Sequence, residues 1–505
     1  MNVTPRRPLF NRRPQSNIYR MFLWVIMILG GVWMLQQMDK GEIQPLFLAT
    51  PTPTRAPQSY ILEGDANFTA GKVEDAITAY QEALEVNPND PETWWKLARI
   101  QTYSSAFLIT DDARRTRLSE ALASARKAVE LAPEDSTAHA VLAFALDWNA
   151  NSSLYPGDPR QVQDFVSEAE LEASLALQLD NTNTLALAYY SEILVDQQKW
   201  TQAEIYIQQA LEGEDAGPFM MDVYRVNAYV LETLGQYNLA ITEYDKAIAI
   251  EPNFTFLYIR AGANYRALAL EIPNLETARP VYEQSLEYFA KAVQINEQIG
   301  VRDPGPHLSI ARTYSQLGEF FIAARNVQTA LEYEPTNADI YGQLGIIYFR
   351  SRNYEGSIYS LKCATYGCRG EDSCLGRGLE RCFPDLEENP VTIEGLAISP
   401  NTIVYYYTYG SVLAALSRER DNKCPEAMRV MSDVRAELNA NPEAYSDARE
   451  TIINIVQAGE SICQSFEEGD APGSSDATEE GEATVEPVAT EEGEVMIDVT
   501  ATATP

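Results

Sequence analysis

Cysteine is the residue type in this 505-residue chain best placed to do chemistry, and all six cysteines lie after residue 360. Cys363, Cys368, Cys374 and Cys382 fall within 20 residues at the spacing C-x4-C-x5-C-x7-C, while Cys424 and Cys463 stand apart. A structural zinc site usually pairs its ligands at short spacings such as C-x2-C. That spacing is missing here, and neither histidine, His139 or His307, is near. The even count fits three disulfides, with zinc and free thiols as alternatives. Six cysteines allow fifteen pairings, and sequence does not choose among them. The expected arrangement joins Cys424 to Cys463, with the other four paired locally in an order left open.

Little else could carry a reaction. The two histidines stand where comparable segments have Trp94, Tyr258 or Tyr341, which makes them packing residues. There is no Ser–His–Asp arrangement, no Gly-rich phosphate loop after a strand and no metal motif. The chain is therefore expected not to be an enzyme and to need no cofactor or metal.

The elements that position these residues come from a repeat. Ala240, Tyr244, Ala247 and Pro252 have the same spacing as Ala76, Tyr80, Ala83 and Pro88. Ala121-Ala125-Ala128-Pro133 and Ala323-Val327-Ala330-Pro335 follow it too. Weaker copies run Ala169-Ala173-Ala176, Ala203-Ile207-Ala210, Ser285-Phe289-Ala292 and Ser357-Leu361-Ala364. Steps of three and four return to one helix face, and small residues there let a second helix come close. The following proline stops the helix. Upstream lies a second helical pattern, clearest in Tyr341, Leu344, Gly345 and Tyr348 and repeated in Tyr258, Ala261, Gly262 and Tyr265.

Together these resemble the tetratricopeptide (TPR) signature W-x2-L-G-x2-Y…A-x3-F…P. About eight copies share one register over residues 58–364. The resemblance implies an all-α, right-handed superhelix of antiparallel helix pairs whose first helices line a concave groove for protein or peptide partners. Carrying the register over names Trp95, Arg99, Tyr103, Phe144, Trp148, Arg225, Tyr229, Arg266, Arg312 and Arg350 as groove residues. Arginines and aromatics anchor interfaces, and recurring arginine suits an acidic or carboxylate ligand. The alternative is that each arginine pairs with a neighbouring acid and binds nothing. Three copies hold extra residues near 103–119, 149–165 and 268–284, at one edge of the solenoid. The stretch NANSSLYPGDPRQ reads as a loop, and the other two as longer helices.

The flanks differ in character. Residues 1–17 are basic, 18–38 form an apolar run expected to be a transmembrane signal-anchor, and 39–57 are a Pro/Thr-rich linker. A cleaved signal peptide and a buried helix are the alternatives for the run. Residues 365–400 carry three of the six cysteines and interrupt the repeat, and 401–466 read as a degenerate ninth pair with a capping helix. Residues 467–505 hold twelve acids and no base, and are expected to be disordered.

Arginines before the apolar run and acids after it place the N-terminus in the cytoplasm and the bulk outside the cytoplasmic membrane. A formal net charge of −35 opposes nucleic-acid binding. The expected function is a membrane-tethered scaffold or adaptor for protein or peptide partners. An envelope glycan- or polymer-binding module, stacking sugars on Trp95 and Trp148, and a non-catalytic subunit of an envelope enzyme complex are the alternatives.

Overall fold

The computed structural model describes residues 17–39, 55–155, 158–213, 219–379 and 390–467. The chain divides into two units, Met1–Arg55 and Ala56–Pro505. In the first, α1 (Ile18–Asp39) is a helix of 22 residues. Its described apolar side chains, from Ile18 to Met34, are exposed on every face. Among the described residues no helix is long and apolar enough to cross a membrane. The basic segment up to residue 16, linker residues 40–54 and the acidic tail from 468 lie outside the described residues.

Among the described residues, the regular structure of the second unit is all helical apart from isolated bridges. Its first three pairs are α2 (Pro57–Thr69) with α3 (Val73–Val86), α4 (Pro91–Ser104) with α5 (Asp111–Leu131), and α6 (Ser136–Asn149) with α7 (Pro159–Leu179). Then come α8 (Thr184–Asp196) with α9 (Trp200–Glu212), and α10 (Met220–Thr233) with α11 (Tyr237–Ile250). The last three are α12 (Thr255–Leu270) with α13 (Leu275–Ile299), α14 (Gly305–Gln316) with α15 (Phe320–Tyr333), and α16 (Ala338–Arg350) with α17 (Tyr354–Thr365). A short helix α18 (Glu371–Gly376) precedes α19 (Ile403–Leu416), α20 (Cys424–Ala440) and α21 (Arg449–Glu467).

Local chemistry sets the helix ends. Asp135, Asp158, Asn183, Asn274 and Asn337 each accept a backbone N–H of the first turn they precede. Helices α3, α5, α11 and α15 each stop two residues before a proline. Within pairs the small residues act as expected. Ala76, Ala83, Ala240 and Ala247 are buried, and a methyl group at Gly345 would lie 2.6 Å from Leu361 Cγ. The extra residues of the second, third and sixth pairs mostly lengthen second helices: α5 and α7 have 21 residues and α13 has 25. The third insertion also makes a one-turn 3-10 helix, Ser152–Leu154, before Pro159 opens α7.

The solenoid turns back on itself where its sixth pair begins. The Phe68 ring lies 5.4 Å from that of Phe254, and the Asn253 amide donates to the Thr69 carbonyl at 3.1 Å. Gly71 has φ +80°, and a side chain there would strike the Asn253 carbonyl. This closure gives one continuous core from Ile61 to Ala261. A second core runs from Leu308 to Cys463. Ile109, from the insertion before α5, packs against that second core.

Candidate functional site

Closure brings the inward faces of α4, α6, α8, α10 and α12 together. On α4, Arg99 and Tyr103 lie one turn apart; on α6, Phe144 and Trp148 do the same. Helix α8 supplies Tyr189, Glu192 and Asp196, and α10 supplies Asp222, Arg225 and Tyr229. Asp222 is fully buried and accepts from Arg99 (Nη2 at 2.6 Å, Nε at 3.1 Å), from the Tyr103 hydroxyl at 2.5 Å and from the Tyr189 hydroxyl at 2.8 Å. Arg225 donates to Glu192 through both terminal nitrogens, one of them at 2.8 Å, and to the Tyr103 hydroxyl at 2.9 Å. Trp148 also donates to Glu192, at 3.2 Å.

Two arginines and two carboxylates are thus paired in the buried interior. Burial alone would push Asp222 up, but Arg99, Tyr103 and Arg225 override it and hold the carboxyl below its ordinary range. Burial disfavours the Arg225 cation, yet Glu192 foremost holds it well above the ordinary guanidinium value. Such a network earns little net stability from charge, but losing one partner strands a buried ion. The neighbouring carboxyls behave in the opposite way. Burial first, then Asp196 and Glu192, push Asp147 up; burial, helped by Glu192, pushes Asp196 up against the hydrogen bonds from Tyr229 and Asp147, which lower it. The two share a hydrogen bond, which needs a proton between them, and Tyr229 donates to Asp196 at 2.6 Å.

Beside this network lies a cavity of about 450 Å³. Its charged wall residues are Arg114, Arg225, Arg260, Arg266 and Glu232, and Trp148, Tyr229, Tyr237 and Phe256 supply aromatic surface. Arg260 donates to Glu232 at 2.6 Å and to the Tyr244 hydroxyl at 3.3 Å. Arg266 lies over the Phe289 ring, 5.6 Å from its centroid. Asn264, also on the wall, donates to Glu232 at 2.7 Å and to the Arg260 carbonyl at 2.9 Å.

Three segments match family models: residues 64–101 a TPR repeat, and residues 228–254 and 308–362 a tetratricopeptide repeat. The chain carries tetratricopeptide repeats. It is 22% identical to anaphase-promoting complex subunit 3 of Schizosaccharomyces pombe over 217 residues, 42% of this chain and 30% of that protein. The tetratricopeptide chain thus spans under a third of the length of that curated relative. Among solved structures, a thermophilic TPR protein of Thermus thermophilus is 21% identical, with 41% of this chain and 98% of that one covered at TM-score 0.33. The human IFIT1 dimer with PPP-AAAA is 17% identical, with 82% and 92% covered at TM-score 0.42.

The ten tetratricopeptide groove positions do not form one open wall. Trp95, Arg99, Tyr103 and Phe144 are buried in the closed core, so the expectation of an exposed groove there is corrected. Closure packs these side chains against one another and against Phe219 and Phe254. Trp148, only 3% exposed, joins Arg225, Tyr229 and Arg266 on the cavity wall. Neither Trp95 nor Trp148 presents an open face for a sugar. Arg312 is half-buried near Tyr405, and Arg350 is exposed, 3.4 Å from Ser315 Oγ; both lie away from the cavity.

Sequence reasoning missed the acids. Glu192 and Asp196 hold, in the fourth pair, the register positions that gave Phe144 and Trp148 in the third. The fourth pair has Leu187 and Ser191 in place of the large-then-small first-helix signature, so its pattern does not mark the register. Asp222 lies one turn before Arg225, outside the groove register, and nothing in the pattern marks it.

At the far end Cys424 and Cys463 are joined, with Cα atoms 5.3 Å apart, and so are Cys363 and Cys368 at 4.7 Å. Cys374 is also disulfide-bonded, and Cys382 lies outside the described residues.

Proposed function

We propose that the chain is a membrane-tethered tetratricopeptide scaffold that docks protein or peptide partners on the outer side of a cytoplasmic membrane. The observation that carries the docking role is the repeat itself: three matched segments spread along a solenoid of eight helix pairs. Stacked pairs bury their apolar faces against their neighbours and leave an extended outer surface and edges, which suits binding rather than chemistry. The scaffold works without a reaction of its own.

Tethering is supported by α1. Its exposed apolar side chains follow five arginines with no acid among residues 1–20. The joined cysteines favour the oxidising side of the membrane. With the concave face closed, the outer surface and the edge that carries the insertions are the surfaces offered to a partner.

Two measurements test the reading. Alkaline carbonate should leave the chain in the membrane pellet, and release into the supernatant would remove the tether. Crosslinking in the native membrane should map one reproducible partner onto the second unit; crosslinks scattered over many proteins at low yield would remove the docking role.

A further inference from the structure

We propose that the cavity inside the closed superhelix binds a small organic acid: an anionic head on a flat apolar body that carries a hydrogen-bond donor. The site is separate from the docking surfaces and depends on neither a protein partner nor the membrane.

Size comes first. A volume of about 450 Å³ falls in the range of small-molecule sites and is too small for a folded partner. Charge selects the head. The chain has 73 acids and 38 bases, yet four of the five charged residues on this wall are arginines. Glu232 faces Arg260, Glu192 backs Arg225, and Asp111 lies 3.8 Å from Arg114. Guanidinium is the group suited to a planar carboxylate or phosphate, because its fork matches two oxygens at once. A polyanion is disfavoured by the net charge of −35, whereas one or two charges on a small body are not.

The wall also describes the body. Trp148 and Phe256 supply aromatic surface on the wall, which suits a flat apolar group. Asn264 supplies the independent sign of a ligand. It is 1% exposed, and its carbonyl oxygen Oδ1 accepts no hydrogen bond from the protein. Buried acceptors are normally satisfied, and an O–H or N–H on the ligand would satisfy this one.

The probe is 1-anilinonaphthalene-8-sulfonate, an aromatic anion with one N–H, which brightens in apolar surroundings. Its uncharged twin, N-phenyl-1-naphthylamine, has the same body and donor. Titrated into the full chain, the anion should fill one saturable site, weaken as salt rises and bind at least tenfold more tightly than the twin. Ala263→Trp and Ala267→Trp each place an indole on the wall from half-buried positions and should each weaken the anion at least tenfold. Arg114→Gln should weaken the anion several-fold and leave the twin unchanged. Circular dichroism and the unfolding midpoint certify each variant, so a misfolded one is set aside and the other tryptophan decides.

Equal affinity for anion and twin would overturn the proposal. So would a saturable site untouched by both tryptophan variants in folded chains, because the anion would then lie elsewhere, as on the apolar surface of α1. Partner crosslinking is a separate readout, so either reading can fail alone.

Discussion

Between Ile61 and Ala261 the core is built around buried charge; between Leu308 and Cys463 it is crossed by disulfides. In the first region Arg99 reaches Asp222 across 123 residues of sequence, and the pair is almost wholly buried. In the second, ion pairs such as Lys362–Asp372 and Arg435–Glu460 are partly exposed. The contrast separates two ways of closing a repeat array. A buried ion network specifies which helices meet, because any other arrangement strands a charge. A disulfide specifies nothing about packing but removes freedom from the unfolded chain.

The widest break in the comparison is Asp222→Ala. It leaves Arg99 buried without its carboxylate and takes the acceptor from Tyr103 and Tyr189, and should cost about 3–5 kcal/mol. Of the six tryptophans, Trp94, Trp95, Trp148 and Trp200 lie in the first region, Trp24 and Trp33 in α1 and none in the second region, so an unfolding change in fluorescence reports on the first core and not the second. In a urea titration the fluorescence midpoint should fall sharply. A fluorescence midpoint within error of the parent would mean that the network is incidental to closure.

Cys424→Ala with Cys463→Ala is the mirror experiment. Opening a link between residues 39 apart should remove about 4 kcal/mol in the chain-entropy model. The loss should appear in the late part of the circular-dichroism transition and leave tryptophan fluorescence in place. A matching shift in both signals would show that the two cores unfold as one unit, and the contrast would be one of construction only.

A smaller effect probes what the regions share. A methyl group at Gly345 would meet Leu361 at 2.6 Å, and one at Gly262 would meet Phe289 at 2.6 Å. Gly345→Ala and Gly262→Ala should each cost about 1–3 kcal/mol by overpacking. The first should move circular dichroism alone. If either proves neutral, the pair can open by a few tenths of an ångström, and the small residue there is not required.

The shared feature was the legible one. Steps of three and four with alanine or glycine at the crossing give the pairs directly, because each pair is a local solution to burying one helix face. The spacing of cysteines did not choose their partners; the link of Cys424 to Cys463 rests on how α20 and α21 lie. Closure was not legible. It depends on contacts such as Phe68 with Phe254, far apart in sequence, and on how small rotations between pairs add up. The groove residues were identified as inward-facing, but what they face is set by closure. The open wall expected from the repeat became a packed interior beside a cavity. The acids that neutralise it were hidden because the fourth pair has Leu187 and Ser191 where others show a clearer large-then-small signature.

Asp147 and Asp196 give the finest test, because they differ in sign from Asp222 within one core. Asp222 is held below the carboxylate range, so its contribution is present above the unfolded value of about 3.9 and is lost as pH falls through the folded one. Asp147 is pushed up by burial and by Asp196, and Asp196 by burial and by Glu192, so the fold keeps a proton that the unfolded chain has released. The native state then binds more protons, and stability falls as pH rises from the ordinary carboxylate range toward neutrality. Asp147→Asn supplies the hydrogen bond to Asp196 from an amide and removes the need for the shared proton. The tryptophan-monitored midpoint should therefore depend less on pH between about 4 and 7, with a gain of about 1 kcal/mol or less at neutral pH. An unchanged slope would place the proton elsewhere, with the buried carboxyl of Asp303 the next to replace, since burial pushes it up to about 6.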